Sequence, residues 1–386
     1  MIIYNPRWLN NLFTREQAAT AFDQGYLRRE ELDLVNNKYP VNFYSPNFFI
    51  RIGLFILTVV VLLFSFGLFS LLFLTSLDNA IGGLAIFFAL VSYAILELMV
   101  RSKNHFRSGV DDALMWISAG SLFGGISYLS NAGGLANCVL VFVIALFCSL
   151  RFADRVMGIL LYVSFLGILF FACIKLGNSA KAFVPFVLMI ISGIIYLLIK
   201  KTRQLNVNQL YHDCLQVISV AALLGFYISG NYYVVRELSN SMFNLNLAAN
   251  ESIPLGWFFW LFTVIMPCIY IGRGIQKKDI TLIRVGLLLI AAMVFTIRYY
   301  YSVAPLEVIM TAGGIVLVLV AYGLSRYLKA PQYGFTNEEI RSIEAKEKLH
   351  IESILVAQAF GGQQDPAPGT SFGGGSFGGG GASGEF

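Results

Sequence analysis

With 57% hydrophobic and only 13% charged residues in 386, the chain is far from the composition of a water-soluble globular protein, which carries about 25% charged residues. Its mean hydropathy is +0.71, and ten apolar runs, each of about twenty residues, can cross a hydrocarbon core as helices, which gives an all-α polytopic transmembrane helix bundle. The net charge of +5 is spread over loops, so it speaks for membrane orientation and against nucleic-acid binding.

Residues 1–47 are polar and carry no cleavable signal-peptide pattern, so the first span is expected to be its own insertion signal. Thr14 followed by Gln17 reads as a capping box opening a helix through Phe22. Gly25 breaks that helix, and a second runs from Leu27 to Asn36. Ala18, Phe22, Leu27, Leu32 and Val35 can pack the two as a cytoplasmic hairpin. Such a hairpin is either an interfacial cap on the bundle or a docking module for a partner, and its small core favours the cap. Pro40 and Pro46 then lead an extended aromatic segment, with Phe43, Tyr44, Phe48 and Phe49, into the membrane.

The membrane domain occupies 48–328, with spans at about 48–75, 80–100, 110–130, 134–150, 154–175, 181–200, 212–235, 255–272, 280–298 and 303–327. The third is diluted by Asp111, Asp112, Ser118, Ser121 and Ser127, and Gly120, Gly124 and Gly125 offer it a small-residue packing face. Of the lysines and arginines, 22 fall on the side of both termini and 4 (Lys175, Lys181, Arg236, Arg298) on the other, with Arg284 inside a span. This asymmetry predicts cytoplasmic termini and an even number of crossings, so the third span must cross. Tyr232, Tyr233, Tyr299, Tyr300 and Tyr301 fit an aromatic belt on the sparse side. Pro267 is expected to kink the eighth span.

Ionisable residues at membrane depth are costly, which makes them the functional candidates. Glu97 stands four residues before Arg101, the favourable order for a helical ion pair. The pair reads as an interfacial anchor or as a carboxylate for a cation or proton. Asp111 and Asp112 open the third span, with Ser108 and Asp111 in a capping arrangement. Asp112 can then share a polar site with Glu97 across the 101–109 loop. His212 and Asp213 open the seventh span, where interfacial capping outweighs a proton relay. Glu307 follows Pro305 at the start of the tenth, with Arg298 as its partner across a short loop. The five cysteines form no CxxC pair, the three histidines are scattered, and no HExxH, GxSxG, Walker A or Rossmann pattern occurs. No catalytic set, metal site or cofactor is indicated.

Beyond the spans, Thr336 and Glu339 cap an expected cytoplasmic helix in 329–360. Its Ile340, Ile343, Ile351, Ile354 and Leu355 form a partial apolar stripe, suited to lying on the bundle or pairing with another copy. Residues 361–386 end in SFGGGSFGGGGASGEF, a disordered-type composition that cannot bury a core. Phe372, Phe377 and Phe386 are more than a spacer needs, so they are candidate contacts for a protein partner.

Those last sixteen residues resemble the C-termini of bacterial TPM-domain envelope proteins, on Phe372, Phe377, the run 378–381, Ala382, Ser383, Gly384 and Phe386. No TPM domain precedes them, so the resemblance implies a bacterial envelope setting and transfers no activity. The first 130 residues are similar to a bacterial membrane family classed as a domain of unknown function. The hairpin REQAATAFDQGYLRREEL, with Glu97 and Asp111 or Asp112 at successive span ends, carries that likeness. It implies an architecture alone; a bacterial inner-membrane location is the expectation for the chain as a whole.

The favoured reading is a non-catalytic envelope scaffold, sensor or assembly protein. Its partners would be the bilayer, a protein bound through the tail or hairpin, or another copy of itself. A small-solute or ion/proton-coupled transporter is the alternative, and a membrane-embedded enzyme the second.

Overall fold

The computed structural model describes residues 2–23, 25–72, 77–175, 183–204, 209–243 and 253–300, with Thr311, Gly314, Ile315, Val318 and Tyr322 as isolated positions beyond. Contacts divide the chain into two units, Met1–Asn337 and Glu338–Phe386, and the second lies outside the described residues.

Helix α1 (Pro6–Asp23) begins well before the capping box read at Thr14. The start is set by Pro6, whose fixed φ suits a first helical position, and by Asn5, whose Oδ1 accepts the Arg7 amide at 3.0 Å. Thr14 is therefore mid-helix, its hydroxyl donating to the Asn10 carbonyl at 3.1 Å. Gly25, at φ 77°, turns the chain into α2 (Arg29–Lys38). Arg15 Nε donates to Asn36 Oδ1 at 2.8 Å and ties the hairpin shut.

Nine helices among the described residues are long and apolar enough to cross a membrane. They are α3 (Phe48–Leu72), α4 (Leu77–Lys103), α5 (Val110–Ser130), α6 (Gly134–Phe152), α7 (Arg155–Lys175), α8 (Val184–Gln204), α9 (His212–Gly230), α11 (Gly256–Gln276) and α12 (Ile280–Tyr300). Between them α10 (Tyr232–Phe243) is too short to span. The tenth span read at 303–327 falls outside the described residues except for those isolated positions.

The seventh span, read to residue 235, instead ends at Gly230. Asn231 causes the break: its Oδ1 accepts the amides of Tyr233 (3.0 Å) and Val234 (3.3 Å) and caps α10. Its amide nitrogen donates to the Tyr227 hydroxyl (3.2 Å) and Thr296 Oγ1 (3.1 Å), so the polar group is satisfied although buried.

Consecutive helices pack as the hairpins α4/α5, α6/α7, α8/α9 and α11/α12, and α3 lies against α5. Of the three glycines expected to face a neighbour, Gly125 alone does so; a Cβ there would sit 2.7 Å from the Gly82 carbonyl, while Gly120 and Gly124 have no such neighbour within 4 Å. The charged loops share one end of the bundle. Arg51 pairs with Asp112, Arg151 with Glu97, Arg107 and Arg155 with Asp213, and Lys200 with Asp279. Since α6 ends among these groups and starts directly after α5, the polar α5 must run from that end to the other.

Candidate functional site

At this charged end the 104–109 loop reverses the chain through positive φ at Asn104, Arg107 and Gly109. The turn points its amides at Asp111. Asp111 Oδ1 accepts from the Ser108 amide (2.8 Å) and hydroxyl (2.9 Å), and Oδ2 from the Arg107 amide (2.8 Å). Gly109, at φ 91°, holds the cap position where Ser108 was expected, and the carboxylate caps the loop rather than the serine the helix. Asp111 and Ser108 are both buried, and His105 Nδ1 meets Ser108 Oγ at 2.7 Å.

Glu97 and Asp112 are held by different arginines. Asp112 Oδ2 accepts Nη2 (2.5 Å) and Nε (3.1 Å) of Arg51 from the first turn of α3. Glu97 Oε1 accepts Nη2 (2.7 Å) and Nε (3.2 Å) of Arg151 and the Tyr93 hydroxyl (2.6 Å). Its other oxygen takes Arg101 at 2.9 Å, the helical pair read from spacing. Asp213 joins Arg107 (2.7 Å) and Arg155 (2.5 Å), linking the 104–109 loop, α7 and α9. Its neighbour His212 has Arg203 Nη2 3.4 Å from Nε2 and the Phe13 ring 6.5 Å from its own. Arg298 lies in the last turn of α12, while Glu307, Phe372, Phe377 and Phe386 lie outside the described residues.

The N-terminal segment is built into this end. The Ile3 amide donates to the Arg151 carbonyl at 3.0 Å, and the Tyr44–His105 bridge pairs the lead-in segment with the 104–109 loop. Tyr4 is buried edge-on against Phe106 (4.9 Å between centroids) and Phe152 (6.4 Å). Burial pushes its phenol well above the ordinary value, and Asp111, Asp112 and Asp154 push the same way against Arg107. It therefore stays a neutral hydroxyl at physiological pH. On α1, desolvation raises the Glu16 carboxyl; Arg107 and Arg155 oppose the rise and Asp213 adds to it.

Between α3, α5 and the α6–α7 turn lies a pocket of about 320 Å³. Its rim holds Arg51, Arg107, Arg155, Asp111, Asp112 and Asp154. Below them come aromatic walls that include Phe55 and Trp116, edge-on at 5.4 Å. A slightly larger cavity of about 360 Å³, between α7, α8, α9 and α10, is almost wholly apolar. Its side-chain polar groups are the hydroxyls of Tyr162, Ser229 and Ser239, the first bonded to Ser192.

Sequence reasoning placed Arg51, Arg151 and Arg155 on this side by charge without pairing them to the acids, and it missed Tyr4 and Asp154. Of the ion pairs at this end only Glu97–Arg101 has a local signature; the other arginines stand 54 or more residues from the acids they hold. No group of three or more His, Cys, Asp or Glu suited to a metal occurs among the described residues. Comparison with protein-family models, with curated proteins and with solved structures finds no match for this chain.

Proposed function

We propose that this integral membrane protein acts without catalysis, as a scaffold, sensor or assembly protein of a bacterial inner membrane with both termini in the cytoplasm. The observation that carries the reading is the use made of the charges at the span ends. Glu97, Asp112 and Asp213 each pair with arginines from other elements, and Asp111 is occupied by loop amides. A carboxylate held by a guanidinium is a tie between helices rather than a landing site for a passing cation. The N-terminal segment docks over these ties, as a cap would. The glycine-rich tail, with its likeness to the tails of TPM-domain envelope proteins, adds a reach suited to recruiting a partner.

A transporter remains the second reading because the pocket places three aspartates and three arginines at one span end. Proteoliposomes separate the two. With a pH-sensitive dye inside and imposed proton, sodium or potassium gradients, the scaffold reading expects flux equal to that of empty vesicles. Protein-dependent flux that disappears in Asp112→Asn would overturn it in favour of transport.

A further inference from the structure

The charged-end pocket has a polarity gradient along the membrane normal that the clamp between helices does not require. Arg51 and Asp112 stand in the first turns of α3 and α5, at the depth of lipid headgroups. One helical turn deeper, Phe55 follows Arg51 and Trp116 follows Asp112, and the two rings meet. Ile52 continues this wall and is 41% exposed, so it opens sideways toward lipid.

The rim is balanced as well as charged. Among the described residues the ion pairs use two of the five N–H donors of Arg51 and one each of Arg107 and Arg155. Arg51 and Arg155 keep 40% and 55% of their side-chain surface exposed. Asp154 gives Oδ1 to the Met157 amide at 2.8 Å, which caps α7. Equal numbers of arginines and aspartates suit a zwitterion better than a polyanion, and carboxylates favour a cation that donates N–H groups.

We propose that this pocket holds a phospholipid with a phosphoethanolamine headgroup, its phosphate against Arg51 and Arg155, its ammonium against Asp154, and its chains along Ile52, Phe55 and Trp116. The proposal does not depend on the scaffold reading. The volume of about 320 Å³ is at the lower end of the roughly 300–1,000 Å³ typical of ligand pockets, enough for a headgroup whose chains remain in the bilayer.

Native mass spectrometry of the purified full chain, exchanged into phosphatidylethanolamine, phosphatidylcholine or phosphatidylglycerol of identical chains, tests this. The expected result is retention of one phosphatidylethanolamine with about tenfold preference over either competitor. Asp154→Asn, which keeps the capping oxygen, should remove the preference, whereas Arg155→Gln, which leaves Asp213 paired to Arg107, should lower retention of all three lipids, since each carries the phosphate. Leu68→Ala, on the lipid-exposed face of α3, should keep it. Equal retention of the three lipids by the unmodified chain would overturn the proposal whether or not a variant folds, and so would a preference that survives Asp154→Asn. Soluble phosphoethanolamine separates the two sources of the headgroup: a melting shift as large as that from the lipid would overturn a lipid occupant.

Discussion

Gly109 is where the start of α5 touches the start of α3: a Cβ there would run into the Arg51 carbonyl, at a φ that L-residues rarely adopt. Gly109→Ala should therefore destabilise the protein by roughly 2–4 kcal/mol in thermal unfolding, through strain and the displaced Arg51 backbone together. Gly124→Ala, with no atom in the way, should change melting little. The sequence alone cannot rank the two. A positive φ at Gly109 and the carbonyl of Arg51, 58 residues earlier, are set by the fold. The same holds for Asp112, whose position at a helix start is legible while its partner Arg51 is not.

At the scale of elements, α1 is the part whose attachment the structure revises most. Thr14 and Gln17 imitate a helix start, yet Asn5 and Pro6 supply a better one, so the helix is longer and reaches the bundle. Glu16 is exposed, so water screens its interactions and the docking of α1 should depend only weakly on pH through this carboxyl. The docked state raises this carboxyl above its ordinary range, so the docked form favours the protonated acid. The stabilising contribution is complete below the undocked value, about 4.3, and is lost as pH rises through the raised one. Hydrogen exchange of α1 amides should slow as pH falls through that window once corrected for intrinsic rates, and Glu16→Gln should flatten the dependence. An unchanged dependence in Glu16→Gln would remove this carboxyl from the account. Tyr4→Ala, which empties a buried aromatic site under the segment, should cost about 3 kcal/mol and expose α1 to protease.

For the whole molecule, the count and order of the crossings described were largely written in the apolar runs, because a lipid environment forces backbone groups into helices. The break at Asn231 was not, since Tyr227, Thr263 and Thr296 let a membrane helix stop by bonding the freed groups. The charge asymmetry predicts cytoplasmic termini: on that expectation a cysteine at position 104 should be labelled only from the cytoplasmic side. Labelling from outside would invert the topology. Deleting 361–386 should leave melting of the purified protein unchanged, while Phe372, Phe377 and Phe386 changed together to serine should lose crosslinked partners without loss of insertion.

The central claim is that acids at the span ends serve to tie helices together. A double-mutant cycle on thermal unfolding in lipid nanodiscs, pairing Glu97→Gln with Arg151→Gln and separately with Asp112→Asn, tests it most directly. Both Glu97 and Arg151 are about one-fifth exposed, so screening by water is partial and the first pair should show a coupling of about 1 kcal/mol or more. The second pair, held by different arginines, should be additive within about 0.5 kcal/mol. An additive Glu97–Arg151 pair, or a strongly coupled Glu97–Asp112 pair, would contradict the clamp and restore a shared carboxylate site.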